Sequence, residues 1–219
     1  MRRPVTAPDE RVEVHRHADR GEYDRKIIDE ILDEALYCTV GFVHDDRPMV
    51  IPTIHVRVGD RIVLHGSPAS RMLRTLKSGT EAAVSVTILD GIVLARSVFN
   101  HSMNYRSVVL VGRAEVIDDP AAKLEAMRVF TEKILPGRWD DARRPSDREF
   151  TATLMLGIPI EAASAKIRSG PPGDDVEDLG LGVWAGVIPL WTASGTPIPA
   201  PNLDPEIDYP EYLRERYRR

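Results

Sequence analysis

The sequence predicts an α+β domain, mainly β, built on a β-barrel. Three observations point there. Six or seven short apolar runs are separated by turn signals. Helical periodicity appears at the start, between strands and after the longest strand. No internal repeat and no second domain are visible within the 219 residues.

The elements follow in order. Residues 1–22 are polar and rich in Pro, Arg and Asp, and are expected to form a flexible arm. Tyr23 to Leu36 reads as a helix, because Ile27, Ile28, Ile31, Leu32, Ala35 and Leu36 recur at helical spacing. Tyr37 to Val43 is strand-like. His44 to Arg47 turns the chain, and Met49 to Val58 returns as one strand. Pro52 within it implies an edge, a bulge or a place where a ligand meets the backbone. Gly59-Asp60 is a hairpin turn leading to a strand from Arg61 to His65. A helix follows from Ser70, and Gly79 stops it. Glu81 to Leu89 is the next strand, Asp90-Gly91 a turn, and Ile92 to Val98 a further strand. Phe99 to Asn104 is a loop. Tyr105 to Ile117 reads as one long strand, with Gly112 as a candidate bulge. Asp119 and Pro120 open a helix to about Leu135, with Leu124, Met127, Phe130 and Ile134 inward. A charged connection over residues 136–145 leads to the last strands, Thr151 to Ile160 and Ala162 to Ile167. The barrel domain thus covers residues 23–170. Residues 171–219 are Pro- and Gly-rich but carry Trp184, Val187, Ile188, Leu190 and Trp191. An irregular arm packing on the barrel or on a neighbouring subunit is expected there.

Composition excludes several classes. A formal charge of −5 argues against a nucleic-acid partner, which leaves a basic footprint. Cys38 is the single cysteine, so no intrachain disulfide forms, and its apolar neighbours make it a buried, inert thiol. The first residues do not read as a signal peptide, and no apolar run reaches transmembrane length. A soluble, cytoplasmic protein with no membrane partner is expected. There is no Walker P-loop, no strand-anchored G-x-G-x-x-G, no cysteine cluster for a metal and no H-E-x-x-H.

Two stretches carry candidate chemistry. In RIVLHGSPASRMLRTL, residues 61–76, a strand meets a helix start. Ser70 caps it, while Arg71 and Arg74 add positive charge beside unpaired backbone N–H groups. A phosphate fits this corner, with His65, Gly66 and Ser67 alongside; an ordinary surface helix is the plainer alternative. In HSMNYRSVVLVGRAEVID, residues 101–118, Tyr105, Arg106 and Ser107 offer an aromatic face, a cation and a hydroxyl. His55 alternates with Ile54 and Val56, which predicts a surface or interface histidine. A serine hydrolase using Ser67 or Ser70 lacks the G-x-S-x-G elbow.

Four segments in order, residues 61–76, NYRSVVLVGRAEVID, ASAKIRSG and WAGVIPL, resemble the flavin-nucleotide-binding branch of the pyridoxamine 5′-phosphate oxidase-like family, which includes nitroimidazole-resistance-type proteins. The resemblance spans Tyr23 to Leu190. It implies a split β-barrel, a homodimer, and FMN at the subunit interface, with FAD, a deazaflavin or haem as alternative cofactors. Pro52, Thr53 and Ile54 would line the isoalloxazine ring, and His65, Gly66 and Ser67 would flank it. Ser70, Arg71 and Met72 would hold the phosphate. Tyr105, Arg106 and Ser107 would complete the site from the partner, and Trp184 would cover it. The implied activity is hydride transfer through the flavin, by an oxidoreductase acting on a small organic substrate with NAD(P)H as reductant. The alternative is a non-catalytic flavin or haem binder that stores or senses its cofactor. The paired-arginine motif that reads pyridoxal phosphate is not evident, which argues against vitamin B6 oxidation.

Overall fold

The computed structural model describes residues 9–217. In chain order its elements are β1 (Gly21–Glu22), α1 (Arg25–Glu34), β2 (Tyr37–His44), β3 (Arg47–Ile54), β4 (Val56–Val58), β5 (Arg61–Gly66) and α2 (Arg71–Lys77). Then come β6 (Glu81–Leu94), β7 (Ser102–Arg113), β8 (Glu115–Val116), α3 (Pro120–Ile134), α4 (Arg138–Asp141) and α5 (Asp147–Thr151). The last are β9 (Leu154–Pro159), β10 (Ala162–Arg168), β11 (Gly186–Pro189) and α6 (Glu211–Tyr217).

Two antiparallel sheets enclose the core. The larger runs β1-β10-β7-β6-β2-β3, with β11 also paired to β6; the smaller runs β4-β5-β9-β8. Inward residues recur with period two, as a half-buried strand requires. Cys38, Val40 and Phe42 on β2 are buried, as are Ile62 and Leu64 on β5. They meet Leu110, Leu156 and Ile158 in one apolar cluster that α1 and α2 help to cover with Ile31, Leu32, Leu73 and Leu76.

Two strands expected to be continuous are not. The chain passes from β3 to β4 at His55 and from β7 to β8 at Ala114, changing sheets each time. A closed core forces the strands to turn a corner, and the apolar pattern runs on through it. Conversely, the expected turn at Asp90-Gly91 lies inside a single long strand, β6. The pairing with β7 shifts register between Leu89 and Gly91, so this is the bulge. Gly112 stays in register, opposite Ala82. A Cβ there would meet Ile158 Cγ2 at 3.0 Å, so this glycine permits close packing.

Strand β6 also holds the C-terminal segment. Its first half pairs with β2, and its second half pairs with β11, Gly91 opposite Pro189. A Cβ on Gly91 would lie 2.8 Å from Val187 Cγ1 and 3.1 Å from the Ile188 carbonyl oxygen. Gly91→Val is therefore expected to cost about 1–3 kcal/mol by overpacking and to release β11. Denaturant unfolding and limited proteolysis near residue 190 check this; wild-type behaviour in both would mean β11 tolerates the added side chain.

Two further expectations are corrected. Residues 9–22, expected to belong to a flexible arm, pack on the barrel: Val12 is buried, β1 pairs with β10, and Arg11 forms an ion pair with Glu81. The rest of that arm, residues 1–8, lies outside the described residues. On α3 the inward stripe is Ala126 and Phe130, with Met127 partly buried, whereas Leu124 and Ile134 are exposed. Polar anchors set this rotation: Lys123 Nζ donates to the Phe150 carbonyl at 2.7 Å and Lys133 Nζ to the Leu32 carbonyl at 3.0 Å. Lys123 and Lys133 are themselves partly buried.

Candidate functional site

The corner between β5 and α2 is built locally. Ser67 closes a tight turn, its carbonyl accepting from Ser70 N–H at 2.9 Å and its hydroxyl from Ala69 N–H at 3.2 Å. Ser70 caps α2, accepting from Leu73 N–H at 3.5 Å. The N–H groups of Arg71 and Met72 make no hydrogen bond among the described residues. Arg71 is exposed and has no ion pair among them either. Met72 is buried, so only its backbone can meet a ligand. The helix carries Arg71, Arg74 and Lys77 and no acid. A cation at the first helical position opposes the helix dipole, so Arg71 does not serve α2.

His65 points toward α3. Its ring lies 4.2 Å from that of Phe130, edge on, and its buried Nδ1 has no partner among the described residues. Burial lowers its pKa and keeps the imidazole neutral. Ile54 packs on the cluster that holds Val63 and Phe130, the ring that His65 faces. Pro52 and Thr53 precede them on β3, the edge of the larger sheet, where a residue without an N–H is tolerated.

Beyond this layer lies a buried polar group. His55, expected at the surface or at an interface, is fully buried, because the chain turns inward at the β3–β4 corner. Its Nε2 lies 2.9 Å from the Leu32 carbonyl oxygen and 3.3 Å from Lys133 Nζ, and its Nδ1 has no partner among the described residues. Burial, then the charge of Lys133, lowers the His55 pKa to about 4. Burial likewise lowers Lys133 to about 8 and pushes the Cys38 thiol up to about 12, which leaves that thiol unreactive.

Tyr105, Arg106 and Ser107 sit elsewhere, on β7 in the larger sheet. The sequence presents Arg106 as an available cation, and the structure corrects this. Its guanidinium donates to Asp90 at 2.8 and 3.0 Å and to both oxygens of Glu34. Asp90 and Glu34 raise its pKa further, so it stays charged and already paired. Ser107 Oγ donates to the Lys166 carbonyl at 3.2 Å. Of the three, Arg106 borders an open cleft of about 670 Å³, between the end of α1, β6 and the segment after β11. Trp184 does not line it; its ring lies over Gly186 of its own segment. Trp191 lines it instead, with Tyr37, Glu34 and Asp90. None of these four is legible in the sequence as a site residue, since each reaches the cleft from a different element. Among the described residues no cluster of three or more His, Cys, Asp or Glu side chains could hold a metal, and no helix is long and apolar enough to cross a membrane.

The family model for pyridoxamine 5′-phosphate oxidase matches residues 24–167. The chain belongs to the pyridoxamine 5′-phosphate oxidase-like family. Its architecture, two antiparallel sheets with peripheral helices, is the split barrel of that family. Among solved structures it is similar to the flavocytochrome Anf3 from Azotobacter vinelandii, with 39% identity, a TM-score of 0.90, and coverage of 97% of this chain and 99% of that one. It is also similar to the FAD and heme binding protein from Mycobacterium smegmatis, with 40% identity, a TM-score of 0.85, and coverage of 90% and 97%. A candidate 5-nitroimidazole antibiotic resistance protein from Bacteroides thetaiotaomicron shares the fold, at 21% identity and a TM-score of 0.56 over 67% of this chain and 86% of that one. No curated protein matches the sequence.

Proposed function

We propose that this chain is a flavin-nucleotide-binding redox protein that also carries haem. One observation carries the flavin part: Arg71, exposed and without a partner among the described residues, stands at the N-terminus of α2 beside backbone N–H groups that are also unspent. That is the donor set a nucleotide phosphate needs. The Ser67 turn and the β3 edge supply backbone groups for the rim of a flavin ring. Bound flavin would supply the hydride and electron transfer itself; this chain's part is to hold, orient and shield it. Similarity to an FAD and heme binding protein favours FAD over the FMN that the sequence resemblance implies. The same similarity supports haem.

The test is an absorption spectrum of purified protein with mass analysis of the released cofactors. Flavin and haem bands together are expected; a protein that neither carries nor takes up flavin overturns the reading. Bleaching by NAD(P)H with turnover of an organic acceptor would make it an oxidoreductase; reduction without turnover would make it a carrier or sensor.

The flavin site is shared by two subunits in this reading. Support comes from large apolar side chains left exposed, including Phe99 at 90%, Val98 at 86% and Val50 at 67%. A homodimer is expected in sedimentation experiments. Because the flavin would touch both chains, adding it should lower the dimer dissociation constant by mass action. A monomer that binds flavin as tightly as the dimer would exclude a shared site.

A further inference from the structure

The cleft of about 670 Å³ is not used by the phosphate corner, and its chemistry is different. Its aromatic walls are Tyr37 and Trp191, whose residues are 62% and 78% exposed. The Leu190 N–H donates to the Asp90 carbonyl at 3.0 Å, which fixes the chain just before Trp191 against β6. At the other side one guanidinium, Arg106, sits between two carboxylates, Asp90 and Glu34. Each carboxylate oxygen accepts one of the four hydrogen bonds from Arg106 and has lone-pair capacity left. The cleft therefore offers spare acceptors, a surplus of negative charge and flat apolar faces. It disfavours a phosphate, and it suits a flat ring joined to a group that brings hydroxyl donors.

Resting on the flavin reading above, we infer that this cleft takes the adenosine half of FAD. The adenine lies against the indole of Trp191, and the ribose hydroxyls donate to the carboxylates of Glu34 and Asp90. Carboxylates serve ribose hydroxyls in this way in dinucleotide sites generally, and an aromatic face holds a base by stacking. The diphosphate stays outside the cleft, because the one cation there is already neutralised. The chain thereby selects the dinucleotide over FMN.

The test compares FAD with FMN on protein freed of its flavin. Wild type, Trp191→Ala and Trp191→Phe are titrated with each nucleotide. Trp191 is exposed, so the fold should survive, and a circular dichroism melt checks that. Trp191→Ala is expected to weaken FAD about tenfold while changing FMN by less than about twofold; Trp191→Phe, which keeps a stacking face, should recover most of the loss. If Trp191→Ala moves both flavins equally, or neither, the adenosine assignment is overturned and the flavin reading stands. If wild type binds neither flavin, the flavin reading falls and this inference falls with it.

Discussion

Arg71→Ala is expected to weaken FMN and FAD binding about tenfold to a hundredfold and to leave riboflavin binding unchanged. Only the nucleotides carry the phosphate that Arg71 would meet. A hydrogen bond to a charged group contributes about 1.5–3 kcal/mol, which sets that range. The fold should not suffer. Arg71 is exposed, pairs with nothing among the described residues, and sits at the end of α2 where a positive charge is unfavourable. Its removal should leave the melting temperature unchanged or slightly raised. Flavin fluorescence titrations with riboflavin, FMN and FAD decide the matter. Equal losses for all three would place Arg71 away from the phosphate, and a lowered melting temperature would make it structural.

Acid is expected to destabilise the fold through His55 by about 3 kcal/mol, since each tenfold loss of proton affinity on folding corresponds to about 1.4 kcal/mol. The residue is fully buried, and its pKa falls from the ordinary 6.5 to about 4 on folding. Between those values the unfolded chain binds the proton and the folded chain does not, so stability rises with pH. The penalty is absent well above pH 6.5, grows as pH falls through that window, and is complete only below about pH 4. Burial without solvent is the main cause. A protonated His55 would also face the Lys133 ammonium at 3.3 Å, and the nearby Asp33 offsets this only in part. Urea unfolding of wild type and of His55→Gln across about pH 4–7 checks this. The glutamine variant should lose less stability than wild type on acidification, by about the same 3 kcal/mol. Parallel pH profiles would show that His55 takes up its proton in the folded state at no cost.

Much of the barrel is legible because it is written in local patterns. Tyr37 to Val43 reads as a strand and Cys38 as a buried thiol, and the structure forms β2 over Tyr37–His44 with Cys38 fully buried. Ser70 caps α2, Asp119 and Pro120 open α3, and Gly79 follows α2 with φ +91°, as cap and stop chemistry requires. The phosphate corner is legible for the same reason: its loop, cap and Arg71 are neighbours in the chain.

What the tertiary structure decided is everything that depends on distant partners. Alternation continues unchanged through His55 and Ala114, so nothing local shows that the strands change sheets there; closing the core demands it. The same corner takes His55 from an expected surface or interface position to full burial beside Lys133, 78 residues away. Arg106 reads as a spare cation until Glu34, 72 residues away, and Asp90 claim its guanidinium. Trp191 reaches the cleft only because β11 pairs with the half of β6 that β2 leaves open. Periodicity and caps report what a residue's neighbours in sequence impose. Ion pairs, cleft walls and strand bends are chosen by packing between elements, where the energy depends on contacts that sequence separation does not reveal.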